Sequence, residues 1–318
     1  MRVVIIMGFY LSCSRAIVCA VLAGAIVMAS ASTKGITESV KAMERELGLT
    51  IAPPFGALSL SPRPTRPSPD TYISCGALAI SPNGTAIAWC LQPYPYRGEK
   101  ISFLTVKSLK AGEQPVWVEG RIAAGRLGLS SDANIIVALA RPLDPHQSGP
   151  FELLAIDRRA GVVVHNLTPF VTPFEAGNNV EDISVSGDGT LVAIGKREQI
   201  QVLEIPDGKT IYAGPGRFPR LSPDGRRLAF VEKEKLGIHS FADGSTVQLL
   251  KGKRVKGVGG WSPDGRFLLA GAWTTALALE KRQIIVDTTT GEYAVIGKLG
   301  EGDYGNQFAW ISVKLLAR

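Results

Sequence analysis

One unit recurs along this chain of 318 residues: an apolar strand, a short Ser-x-Asp-Gly-like corner, and a second apolar strand. It reads ALAISPNGTAIAWC at 77–90, RLGLSSDANIIVALA at 126–140 and DISVSGDGTLVAIG at 182–195. It returns as RLSPDGRRLAFV at 220–231 and GWSPDGRFLLAGA at 260–272. The anchoring serines, Ser81, Ser130, Ser186, Ser222 and Ser262, stand 49, 56, 36 and 40 residues apart. That spacing brackets the roughly 40–50 residues that one four-stranded propeller blade occupies.

The corners have a physical logic. Proline presets φ at the first bend, Asp accepts a hydrogen bond from the following backbone, and Gly takes the positive φ that tightens the hairpin. Each unit is followed by a second β-rich hairpin: SFLTVKSLKAGEQPVWV, ELLAIDRRAGVVVHNL, IQVLEIPDGKTIYAG, LGIHSFADGSTVQLL and QIIVDTTTGEYAVIG. Two hairpins make one four-stranded antiparallel blade, and blades packed radially leave only short, protected edges. The sequence therefore predicts an all-β fold, a β-propeller. The blade count reads as six, with five as the alternative. Gln307–Ser312 (QFAWIS) matches a sixth first strand, and strands from the N-terminal region, around Gly56–Ser61, would have to complete it.

Ser222-Pro223-Asp224-Gly225 and Ser262-Pro263-Asp264-Gly265, each between apolar strands, resemble the WD40-like repeats of TolB-type periplasmic propellers. Ser81-Pro82-Asn83-Gly84 is a close variant, whereas Ser131-Asp132-Ala133 and Gly187-Asp188-Gly189 depart from the pattern. The resemblance spans about residues 72–312 and implies the fold while saying little of function. The N-terminal domain of TolB proteins has no evident counterpart before Tyr72.

Ahead of the repeats lie three other segments. Arg2 and Arg15, the apolar run Ala16–Met28 and the small residues Ala29-Ser30-Ala31 read as a secretion leader over 1–31, with no acidic residue before Glu38. A retained membrane anchor is the competing reading, since Val3–Leu11 is also apolar. Over 32–49, Ile36, Val40, Met43 and Leu47 form one stripe at helical spacing, predicting a short amphipathic helix. Residues 50–71 carry Pro53, Pro54, Pro62, Pro64, Pro67 and Pro69, a stiff connector to the propeller at 72–318. The net charge of +7 is scattered and shows no basic stripe with interleaved aromatics, which argues against nucleic acid as a partner.

No catalytic constellation stands out. His146, His165 and His239 are the only histidines and lie far apart, no G-x-S-x-G elbow occurs, and one carboxylate per corner is turn chemistry. The expectation is no metal and no cofactor. Cys75 and Cys90 flank the first corner almost symmetrically and are candidates for a disulfide in an oxidising compartment, or for two buried thiols. The links after the second strand are brief in the third and fourth units but long in the first two, Gln92–Lys100 and Arg141–Pro150. They would bring Tyr94, Tyr96, Arg97, Arg141 and His146 to one rim. Tyr and Arg are the types enriched at interface hot spots. The sequence thus reads as an exported, periplasmic or extracellular, non-catalytic module that binds a protein, peptide or envelope component. The alternative is a hydrolase or lyase acting on a sugar or lactone at the central channel.

Overall fold

A computed structural model describes residues 3–7, 72–94, 103–108, 116–118, 121–142, 151–159, 162–171, 180–273, 281–298 and 308–312. Apart from one short 3-10 turn, Thr168–Phe170, these residues are all strand and turn. The leader beyond residue 7, the helix expected over 32–49 and the proline-rich connector lie outside them.

The N-terminal strand is β1 (Val3–Met7). Blade one then comprises β2 (Tyr72–Ile80), β3 (Ala86–Tyr94), β4 (Phe103–Ser108) and β5 (Val116–Val118). Blade two is β6 (Arg121–Leu129), β7 (Ile135–Pro142), β8 (Glu152–Asp157) and β9 (Val162–Asn166). Blade three is β10 (Asp182–Val185), β11 (Leu191–Lys196), β12 (Gln199–Glu204) and β13 (Thr210–Pro215). Blade four is β14 (Arg217–Leu221), β15 (Arg227–Glu232), β16 (Lys235–Ser240) and β17 (Thr246–Leu249). Blade five is β18 (Arg254–Trp261), β19 (Phe267–Trp273), β20 (Lys281–Asp287) and β21 (Tyr293–Lys298). Each is an antiparallel meander in chain order. Finally β22 (Phe308–Ser312) lies beside β18 and pairs antiparallel with β1. The N-terminal strand that meets β22 thus falls within the segment read as a leader, and removal of 1–31 would free that edge; Gly56–Ser61 lies outside the described residues.

The cores sit between blades. Ala88 of blade one packs with Ile136, Ala138, Leu154 and Ile156 of blade two. Val137, Leu139 and Leu153 meet Ile183, Val192, Ile194 and Leu203 of blade three. Val202 and Ile200 meet Leu228 and Phe230 of blade four, whose Val231, Leu236 and Ile238 meet Val258, Trp261, Leu268 and Ile284 of blade five. Alternate residues of each strand therefore serve opposite neighbours, as strand geometry requires.

The anchoring serines are the hubs of the corners, and all five are buried. Each hydroxyl donates to the side chain two residues on, at 2.9 Å to Asn83 and 2.6 Å to both Asp132 and Asp188, and in the same way to Asp224 and Asp264. Each also accepts the backbone N–H five residues on, at 2.8–3.0 Å. Burial pushes the Asp132, Asp188 and Asp224 carboxyls up, but the serine and backbone donors outweigh it and hold them below the usual range. At the tight position Gly189, Gly225 and Gly265 take φ of 68–75°, and Ala133 takes 56° in the irregular second corner. That is a left-handed conformation that alanine adopts only at a cost.

At the outer seam between blades three and four, His239 lies 4.6 Å from the Tyr212 ring and 5.4 Å from Phe241, its Nδ1 3.0 Å from Thr246 Oγ1. Burial lowers its pKa below 6.5, and Asp243 opposes this only in part. A folded-state pKa below the unfolded one means the unfolded chain binds the extra proton. Stability is then complete above about pH 6.5 and falls as pH drops through that value toward the lowered one. Urea unfolding at pH 7.5 and 5.5 is expected to show a larger acid loss for wild type than for His239→Gln. Equal losses would refute the assignment.

Candidate functional site

The corners of neighbouring blades touch. Thr85 Oγ1 donates to the Ser131 carbonyl at 3.2 Å, Ser131 N to the Gly187 carbonyl at 2.8 Å, and Gly187 N to the Pro223 carbonyl at 3.0 Å. Arg227 Nη2 then reaches the Gly265 carbonyl at 2.6 Å. The first turns of all five blades therefore share one face, and the ends of the second strands share the other. That second face holds the candidate site.

On it β3 ends at Tyr94, opposite Tyr72, and Arg141 of β7 pairs with Ile122. The backbone thus puts Tyr94 and Arg141 at the same end of adjacent blades, where the two long links begin. Tyr96, Arg97 and His146 lie outside the described residues. Cys75 pairs in register with Leu91 and Cys90 with Ala77, because a bulge falls between Cys75 and Ala77.

Blades three and four show what the neighbouring part of this face is made of. Their brief links use positive φ at Arg197 (48°), Lys233 (47°) and Glu234 (62°). Each is tied to the incoming segment by Gly216 N donating to the Glu198 carbonyl at 2.8 Å and Val255 N to the Glu234 carbonyl at 2.7 Å. Charges pair across blades: Arg217 with Glu181 at 3.1 Å, Arg220 with Asp182 at 2.6 Å, and Glu234 with both Arg254 and Lys256. The hydrogen bonds from Arg254 and Lys256 hold the Glu234 carboxyl well below the usual range. The Arg220–Asp182 pair, each side chain 15% exposed, joins the innermost strands of two blades.

Lys196, at the end of β11, is buried, and burial lowers its pKa. Its Nζ lies 3.4 Å from Gln201 Oε1, while Gln201 Nε2 donates to the Phe170 carbonyl at 2.8 Å and to Thr210 Oγ1 at 2.9 Å. Sequence reasoning did not single out Lys196, Gln201 or Arg220. A polar residue where the repeat places apolar ones was the available signal. Among the described residues no group of three His, Cys, Asp or Glu side chains is placed to hold a metal ion. Here the face carries charges paired across blades and one hydrogen-bonded amide, Gln201.

No protein-family model matches the sequence, and no curated protein matches it significantly. Solved structures match in fold. A protein described as a TolB of Agrobacterium tumefaciens superposes with a TM-score of 0.50 at 15% identity, over 76% of this chain and 89% of that one. TolB from Acinetobacter baumannii gives 0.47 at 15% identity, and this chain spans 76% of itself but only 57% of that protein. An oligogalacturonate lyase in complex with manganese gives 0.44 at 12% identity, over 71% of this chain and 67% of that one. At such identity the common element is the architecture, a TolB-like β-propeller of four-stranded antiparallel blades. No helix among the described residues is long and apolar enough to cross a membrane.

Proposed function

Starting from the TolB-like propeller fold, we propose that this protein is an exported, non-catalytic binding module. It would act in the periplasm or outside the cell and engage a protein, peptide or envelope component through the face bearing the long links of blades one and two. The supporting observation is the division of labour between the two faces. The corner face is closed by short turns hydrogen-bonded to one another, whereas the long links leave β3 and β7 on the opposite face, at Tyr94 and Pro142.

Tyr94, Tyr96, Arg97, Arg141 and His146 are the proposed contact residues. Aromatic and guanidinium groups supply large contact area and forked donors. Prolines in the same links reduce the ordering entropy lost on binding. A triple variant, Tyr94→Ala/Tyr96→Ala/Arg97→Ala, is expected to retain the wild-type melting temperature and to lose at least about tenfold in capture of partners by affinity pull-down, the loss of one or two hot-spot contacts. Capture of the same partners in the same yield would sink the proposal.

A further inference from the structure

The corner of blade one holds Asn83 where the other four blades hold Asp132, Asp188, Asp224 and Asp264. The contacts are the same in kind. Asn83 Oδ1 accepts from the Ser81 hydroxyl at 2.9 Å and from the Thr85 N–H at 3.1 Å. Asp188 takes the matching pair at 2.6 and 3.0 Å, and Asp224 at 2.5 and 3.1 Å. The serine bond is shorter where the acceptor is charged, as charge-assisted hydrogen bonds are. Asn83 Nδ2 stands in the place of a second carboxylate oxygen and takes no part in either bond.

Asn83-Gly84 is also the one Asn-Gly step in the sequence. Glycine puts no side chain beside its nitrogen, so this nitrogen is less hindered toward the preceding side-chain carbonyl than the one after any other asparagine of the chain. In the closed corner it is engaged, since Gly84 N donates to the Ser81 carbonyl at 2.8 Å. The closure is weakest in this blade. Corner one is tied to corner two through the Thr85 hydroxyl, 3.2 Å from the Ser131 carbonyl and 2.8 Å from Asn83 Oδ1, so that one proton serves two acceptors. Corners two and three are tied onward by backbone N–H bonds of 2.8 and 3.0 Å.

We propose that Asn83 is a deamidation site, and that the reaction gives blade one the carboxylate corner of the other four blades. When the corner opens, the Gly84 nitrogen loses its proton to hydroxide and attacks the Asn83 side-chain carbonyl carbon. A carbon–nitrogen bond forms, the bond to Nδ2 breaks, and ammonia leaves a cyclic imide behind. Water then opens the imide. Cleavage of the new bond gives aspartate at position 83, and cleavage of the backbone bond gives isoaspartate, one carbon longer along the main chain. Over both steps one water is consumed and one ammonia released, with nothing oxidised or reduced. The aspartate product refits the Ser81 and Thr85 donors, the arrangement that holds Asp188 and Asp224 ionised. The isoaspartate product carries its acceptor away from both. The site lies on the corner face and stands or falls independently of the function proposed above.

The test is incubation of the full chain at mildly alkaline pH, folded or in unfolding urea. Peptide mass spectrometry reads the amide at position 83, and chromatography separates aspartate from isoaspartate. Conversion is expected in both samples, slower by about tenfold or more in the folded one, because opening must break the corner's hydrogen bonds. Thr85→Val should speed conversion of the folded protein by about threefold or more, the loss of one hydrogen bond, and leave the rate in urea unchanged. Asn83→Asp should melt about 1–4 °C above wild type. No aspartate at position 83 in the folded protein, or equal rates folded and unfolded, overturns the proposal. An unchanged folded rate in Thr85→Val does the same for the opening of the corner. So does an Asn83→Asp protein that melts below wild type or does not fold, since a carboxylate would then not fit the corner.

Discussion

Replacing Trp261 with alanine is expected to lower the unfolding free energy by about 3–5 kcal/mol, the range for deleting a buried aromatic side chain. Trp261 is 3% exposed and packs with Leu236, Val258, Leu268 and Ile284 at the seam between blades four and five. Its Nε1 donates to the Arg220 carbonyl of blade four at 2.9 Å, and the Arg227 guanidinium lies 4.8 Å over its ring. Arg227 in turn donates to the Gly265 carbonyl and to Thr288 Oγ1 of blade five. One ring therefore supports apolar, hydrogen-bonded and cation–π contacts between the same two blades. Trp261→Phe keeps most of the buried area and is expected to cost about 1–2 kcal/mol, mostly through the carbonyl left without its donor. Urea denaturation followed by far-UV circular dichroism measures both. A Trp261→Ala loss below about 1 kcal/mol would mean that the seam contributes little to stability.

Gly187→Pro is expected to destabilise by more than about 2 kcal/mol, although it makes the third corner resemble the Ser-Pro-Asp-Gly corners of blades four and five. Repeat reasoning would place it among stabilising substitutions toward consensus. The structure reverses the sign. Gly187 N donates to the Pro223 carbonyl and its carbonyl accepts from Ser131 N. A Cβ there would lie 2.2 Å from the Pro223 oxygen and 2.7 Å from Ser131 Oγ. Proline removes the donor and adds the clash, combining a lost hydrogen bond with overpacking of about 1–3 kcal/mol. Gly187→Ala, which keeps the N–H, should fall between wild type and Gly187→Pro in denaturant midpoint. A Gly187→Pro protein as stable as wild type would refute the corner-to-corner chain of hydrogen bonds.

The two departures from the corner pattern thus acquire a reason. Ser131 and Gly187 stand where proline stands in the other three corners, and both use the N–H that proline lacks to bond the next blade. From sequence they read as weakened repeats. In the structure they make the two backbone hydrogen bonds that join successive corners.

The candidate face shows a similar split. Link lengths counted along the chain point to Tyr94 and Arg141, and the backbone sets both at the ends of adjacent strands. The bulge after Cys75, which shifts the pairing of β2 with β3 by one residue, has no signature in the alternation of apolar residues. The Arg220–Asp182 pair joins residues 38 apart in sequence.

By itself the sequence determined the repeating hairpin, its corner chemistry and the four-stranded meander. Those depend on φ preferences and hydrogen bonds closed within five residues of each anchoring serine. Only the tertiary structure decided which corners bond one another and which charges pair across blades. These interactions join residues 20 to 61 positions apart, and the radial packing of blades, not local preference, brings them within reach.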